Sequence, residues 1–197
     1  MKIKIIRKYL VILSVIFISS CGHSNSFIID SPNKDTKYNI SSLEVKFRED
    51  LYTPNDIRIN SNKDFSAYPN EKALTKIIKE ILERKLKEQN IYSADAKNSE
   101  TLKLKVNIDY QRLGIAWSKS AFHSALIKHK IDVMKNDVRV AQSVAGPYKV
   151  TRSYFSQAAV DQKTIFALRG PNDEVEDLEI AADVIAKELL QLAKNKR

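Results

Sequence analysis

From residue 42 to 48 apolar and polar positions alternate, with Leu43, Val45 and Phe47 on one side and Ser42, Glu44, Lys46 and Arg48 on the other. A period of two marks a half-buried strand. After a loop containing Pro54 and Asn55 the period lengthens. Between Asn70 and Gln89, residues Leu74, Ile77, Ile78, Ile81 and Leu82 fall on one helical stripe, the other face is charged, and Asn70 suits the capping position. Leu102, Leu104, Val106 and Ile108 then alternate with Lys103, Lys105, Asn107 and Asp109, which predicts a second strand. Ile127, Ile131 and Val133 alternate with Lys128, Lys130 and Asp132, and Lys135-Asn136-Asp137 offers a turn into Val138 and Val140, so a hairpin is expected.

Gly146-Pro147 interrupts the next extended stretch, which Tyr148 to Tyr154 continues. Proline removes a ladder donor, so this strand should bend or lie at an edge. The last periodic segment, Glu174 to Lys194, carries Asp173, Glu174, Glu176 and Asp177 at its start and Lys194, Lys196 and Arg197 at its end. These charges match a helix dipole. Its buried stripe is Leu178, Ala181, Ala182, Ile185, Leu189 and Leu192. The order β-α-β-β-β-α, with strands apolar on one face only, predicts an α+β two-layer sandwich. A mostly antiparallel sheet of about four strands would carry both helices on one face. With no internal repeat or second linker, residues 39–197 are expected to form one domain.

The amino terminus follows other rules. Met1 to Lys8 contains Lys2, Lys4, Arg7 and Lys8 and no acid, and Tyr9 to Phe17 is apolar apart from one serine. That is the layout of an export signal. The apolar run is shorter than the roughly 20 residues that cross a bilayer core of about 30 Å, so cleavage is favoured over a permanent span. The sole cysteine, Cys21, stands three places after Ile18 and directly after Ser20. This arrangement resembles the bacterial lipobox. The resemblance implies that residues 1–20 leave as a signal peptide, that the Cys21 thiol takes a diacylglycerol group, and that the new amino terminus is acylated. Two or three acyl chains, at about 0.8 kcal/mol per buried methylene, anchor a protein stably in a membrane. Gly22, in place of the aspartate that retains such proteins at the inner membrane, implies the outer membrane with the domain facing the periplasm. A free thiol beside a short apolar segment is the alternative. Residues 21–38, rich in Ser, Asn, Asp and Lys apart from Phe27, Ile28 and Ile29, are expected to be a lipidated tether.

Cleavage changes the charge picture. The whole chain carries a formal net charge of +9, and loss of the four basic residues of the signal lowers it to +5. With Cys21 used there is no thiol left for a disulfide, so the core must hold the domain.

The raw materials of catalysis are sparse, with three histidines and four glycines in the chain. His23 falls in the tether, and His123 and His129 are six apart, unlike the i, i+4 pair that puts two imidazoles on one metal. His129 takes an apolar-side position, which fits a core or interfacial histidine with a hydrogen-bonded ring better than a catalytic base, for which no partner is evident. Nucleophile elbows, P-loops and dinucleotide fingerprints do not occur. The chain is therefore expected not to be an enzyme and to carry no catalytic residue, metal or cofactor.

Two features suggest binding. Lys103 and Lys105 on one strand and Lys128 and Lys130 on the next would form a basic sheet face able to attract anionic lipid or glycan; the same lysines also suit a solvated face that discourages aggregation. The connection Gln111 to His123 holds Arg112, Trp117, Lys119 and Phe122. Long loops are often functional and Trp with Arg is an interface composition, so these four are candidate partner-binding residues. The aromatics could equally cap the core. Nucleic acid is not expected, since no aromatic interleaving makes a stacking platform.

In architecture this pattern resembles several small envelope lipoproteins: the lipopolysaccharide-assembly lipoprotein, the amino-terminal domain of the Tol-system propeller protein and the curli-secretion lipoprotein. It is also similar to a group of uncharacterised small proteobacterial lipoproteins, with Cys21, the strand near Val45, the helix near Ile78 and the final helix in comparable places. The resemblance implies a lipid-anchored binding or scaffolding module for another envelope component, an envelope protein first. The alternative is a lipid-handling accessory factor of a transport or lipopolysaccharide-assembly system.

Overall fold

The computed structural model describes residues 24–27, 36–51, 64–95, 97–98, 100–114, 122–150 and 169–194. Along them run β1 (Ser24–Phe27), β2 (Tyr38–Phe47), α1 (Glu71–Glu88), β3 (Leu102–Gly114), β4 (Phe122–Lys135), β5 (Val138–Lys149) and α2 (Pro171–Lys194). The expected α+β order is present, preceded by one short strand. Cys21, Trp117, Lys119 and the end of the extended stretch expected from Tyr148 to Tyr154 lie outside the described residues.

Asn70 caps α1, its side chain accepting from the Ala73 N–H at 2.9 Å. Leu74, Ile78, Ile81, Leu82 and Leu86 form the buried stripe that the period of 3.6 predicts. The second helix begins earlier than the acidic cluster suggests. Pro171, whose missing N–H is no loss in a first turn, opens it, and Asp173 Oδ2 accepts from the Gly170 N–H at 2.9 Å.

The sheet order is β1-β5-β4-β3-β2. Of the four strand pairs described, β2–β3 is the parallel one, and α1 supplies the crossover that parallel neighbours need. The β4–β5 hairpin turns at Asn136 and Asp137, whose φ values of 49° and 62° suit the left-handed pair that matches strand twist. β1 belongs to the segment expected to be a tether. Four residues carry no readable period, and their pairing with Ala141–Val144 covers only part of the β5 edge.

Beyond Val144 that edge is not paired with β1, and there the β4–β5 register shifts between Ile127 and His129. Pro147 sits where its missing donor costs no bond to β1, in agreement with the expected bend or edge. Gly146 has φ of +101°, and a Cβ there would stand 2.4 Å from the Ile127 carbonyl oxygen. Only glycine fits.

Both helices cover one sheet face. Leu104, Ile108, Ile127 and Ile131 meet Leu74, Ile78 and Leu82 of α1 and Ile185 and Leu189 of α2, all buried. Each such side chain contributes roughly 1.5–3 kcal/mol. The partly exposed Arg84–Glu179 and Lys85–Asp183 pairs between the helices are worth about 0–1 kcal/mol each, so apolar packing dominates. Along the outer edge of β2, the N–H groups of Val45 and Phe47 donate to Thr75 Oγ1 at 3.0 Å and Glu71 Oε1 at 2.6 Å. α1 thereby blunts an edge that could otherwise recruit another strand.

Candidate functional site

β2 ends at Phe47, paired with Tyr110 of β3, and two residues further along β3 stands a core-side arginine. Arg112 Nε meets Glu174 Oε1 at 2.6 Å, one of its terminal nitrogens meets Glu174 Oε2 at 3.0 Å, and the same nitrogen donates to the Pro69 carbonyl. The Tyr110 hydroxyl donates to Glu174 Oε1 at 2.9 Å. Burial, followed by the Glu174 charge and this hydrogen bond, pushes the Tyr110 phenol well above its ordinary value.

Three rings surround the guanidinium. Its centre lies 4.6 Å from the Phe47 ring centroid, 5.4 Å from Tyr68 and 5.6 Å from Phe65, within cation–π range. Phe47 is nonetheless 38% exposed. Beside it a cavity of about 180 Å³ is lined by Arg48, Glu49, Phe65 and Gln111. On the rim Arg48 pairs with Asp50 at 2.7 Å, and the hydrogen bonds from Arg48 hold the Asp50 carboxyl below the usual carboxylate range.

A second buried cation stands nearby. Arg169 meets Asp177 Oδ1 at 3.0 Å, donates to the His123 carbonyl, and lies 5.0 Å from the Phe122 ring centroid. A third sheet-to-α2 link joins His129 Nε2 to Glu188 Oε2 at 2.8 Å, with the Tyr148 hydroxyl 3.0 Å from Nδ1. The His129 ring is therefore a bonded core group, and among the described residues no cluster of His, Cys, Asp or Glu could hold a metal.

These positions change the picture of the expected partner-binding residues. Phe122 is fully buried and the Arg112 side chain is 9% exposed, so neither is offered to a partner. The expected long connection also shrinks, because β3 extends through Gly114 and β4 begins at Phe122. Its ends are hard to read from sequence because polar Arg112 occupies a core-side position and the β3–β4 register shifts between Leu113 and Gly114. Phe47 and Glu174 emerge instead. A phenylalanine ending an edge strand, facing an arginine two residues past a core tyrosine, was the available signal.

The four lysines of the basic face do share one side of the sheet, away from the helices, but not as direct neighbours. Lys105 stands opposite Asp132, Lys128 opposite Asp109, and Lys130 opposite Asn107. Lys103 reaches Asp137 at 3.6 Å and Lys130 reaches Asp132 at 3.4 Å. The face is thus a mixed one with an excess of lysine.

Among the described residues no helix is long and apolar enough to cross a membrane. No family model matches the chain, and no curated protein matches it. Among solved structures it is similar to a dodecameric PelC variant from Paraburkholderia phytofirmans, with a TM-score of 0.32 and 10% identity, over 75% of this chain and 98% of that one.

Proposed function

We propose that the chain is a non-catalytic lipoprotein, anchored through Cys21 in the outer membrane and facing the periplasm, whose domain binds or scaffolds another envelope component, a protein first. The observation that carries the binding role is Phe47, exposed on one side while its ring stacks on an arginine clamped by Glu174. A ring held in this way loses little freedom on docking, and aromatic residues beside arginine are typical of the energetic centres of interfaces.

The buried ionisable pairs tie the sheet to α2, a structural use that supports a binding role over catalysis. A lipid-handling factor would need room for an acyl chain between the layers, where Leu74, Ile78, Leu82, Leu104, Ile131 and Leu189 pack against one another. That packing favours the scaffold. The test is a photo-crosslinking amino acid placed at position 47 in cells. Discrete protein adducts are expected, absent when the probe sits at the exposed Lys76 of α1 and lost in a Cys21→Ser background. Equal adduct patterns at positions 47 and 76 would remove the Phe47 surface from consideration.

A further inference from the structure

The short strand β1 places the open face of the sheet beside the anchor. Ser24 pairs with Val144 of β5, and Val144 pairs with Lys130 of β4. Strand spacings of about 4.8 Å set the backbone of Ser24 about 10 Å from that of Lys130. Cys21 precedes Ser24 by three residues, a stretch that spans at most about 11 Å. Any acyl chain on Cys21 therefore enters its membrane close to the lysines of this face.

The charge of the face suits such a surface. On β2 and β3 it carries Lys46, Lys103 and Lys105 against Glu44 and Asp109; on β4 and β5 it carries Lys128, Lys130 and Arg139 against Asp132. Glu44, Asp132 and Asp137 are taken up in close ion pairs with Lys46, Lys103, Lys130 and Arg139, pairs that do not include Lys105 or Lys128. Between Asn107, Asp109, Lys128, Lys130, Gln142 and Val144 lies a shallow basin of about 440 Å³, large enough for a phosphate-bearing headgroup.

We infer that this face, centred on Lys105, Lys128 and Lys130, docks on the anionic phospholipid surface in which Cys21 is anchored. The inference rests on the lipid-anchor reading of Cys21. A lysine near an anionic surface strengthens binding by about fivefold, so three of them beside Asp109 bind weakly alone. The anchor supplies the effective concentration that makes weak attraction sufficient to orient the domain. Phe47, 38% exposed, belongs to the helix-covered side and stays available to a partner.

The test uses the mature protein purified from membranes and reconstituted into vesicles of phosphatidylcholine alone or of an equal mixture with phosphatidylglycerol. Amine-reactive labelling, read by peptide mass, reports each lysine. Labelling of Lys105, Lys128 and Lys130 is expected to fall about fivefold on the mixed vesicles and to recover in high salt, while Lys76 on α1 is unchanged. Equal labelling on both vesicles, or equal protection on both, overturns the docking. The same spectra show whether the amino-terminal peptide begins at an acylated Cys21; an unmodified one defeats the anchor itself, a separate failure. The Lys105→Glu/Lys128→Glu/Lys130→Glu variant should lose the lipid-dependent protection of Lys103, and the wild-type labelling stands whether or not that variant folds.

Discussion

Arg112 on β3 and Glu174 on α2 form a two-pronged ion pair at 2.6 and 3.0 Å with the carboxylate fully buried. Removing one partner of such a pair leaves an uncompensated charge in the core and costs about 3–5 kcal/mol, whereas replacing both by apolar groups is often neutral. Glu174→Ala is thus expected to lower unfolding free energy by about 3 kcal/mol or more. Arg112→Met/Glu174→Leu should recover part of that loss, because the buried Tyr110 hydroxyl is left without its acceptor. Urea unfolding of wild type, both single variants and the double variant measures the coupling; additive losses in the double variant would show that the pair does not act as a unit.

Gly146 offers a backbone test of the β4–β5 bulge. Its positive φ, and the 2.4 Å that would separate a Cβ at this position from the Ile127 carbonyl oxygen, predict that Gly146→Ala costs about 2 kcal/mol or more. Gly170, where a Cβ meets nothing within 4 Å, is the matched control. Gly170→Ala should leave the denaturation midpoint nearly unchanged, and similar midpoints for the two variants would contradict the bulge geometry.

Alkaline pH should act through buried phenols. Burial raises Tyr38, Tyr68 and Tyr110 above the ordinary value of 10.0. The unfolded chain releases these protons near pH 10 while the folded protein keeps them, so above that point the unfolded state binds fewer protons than the folded one. Their contribution is fully present below about pH 10 and is lost as pH rises toward the folded-state values. A plot of unfolding free energy against pH should bend downward there. Phenolate absorbance should show three tyrosines ionising only with loss of the far-ultraviolet helix signal; their titration in the folded state at pH 10 would contradict the burial.

The layered fold was legible because helices, strands and the hairpin each repeat a period over many residues. Leu74 to Leu86 and Leu102 to Ile108 keep their periods cleanly, Asn70 caps where a cap is needed, and Asn136-Asp137 turns where the runs break. The candidate site was less legible for a physical reason. Arg112 and Glu174 occupy core-side positions as a compensated pair, and a pattern of apolar alternation registers each as an end or an exposed charge. Phe122 reads as a loop aromatic because a register shift hides its core-side position. β1 escapes because a four-residue edge pairing depends on the groove left beside β5, not on its own sequence.

Phe47 separates binding from stability. Its ring is more than one-third exposed and covers the outer side of the Arg112 guanidinium. Truncation removes a partly solvated contact and leaves the Glu174 and Pro69 bonds of Arg112 in place, so Phe47→Ala should cost only about 1 kcal/mol. An interface centre behaves otherwise, because loss of its aromatic anchor typically costs about 2 kcal/mol or more of binding, roughly a thirtyfold weakening. The variant should therefore retain nearly wild-type urea unfolding while partner adducts from a probe at the neighbouring Arg48 fall steeply. Phe47→Tyr keeps the ring and should restore those adducts. Full adduct yield in Phe47→Ala would assign the ring to packing around Arg112 alone, and a large stability loss would place it with the core.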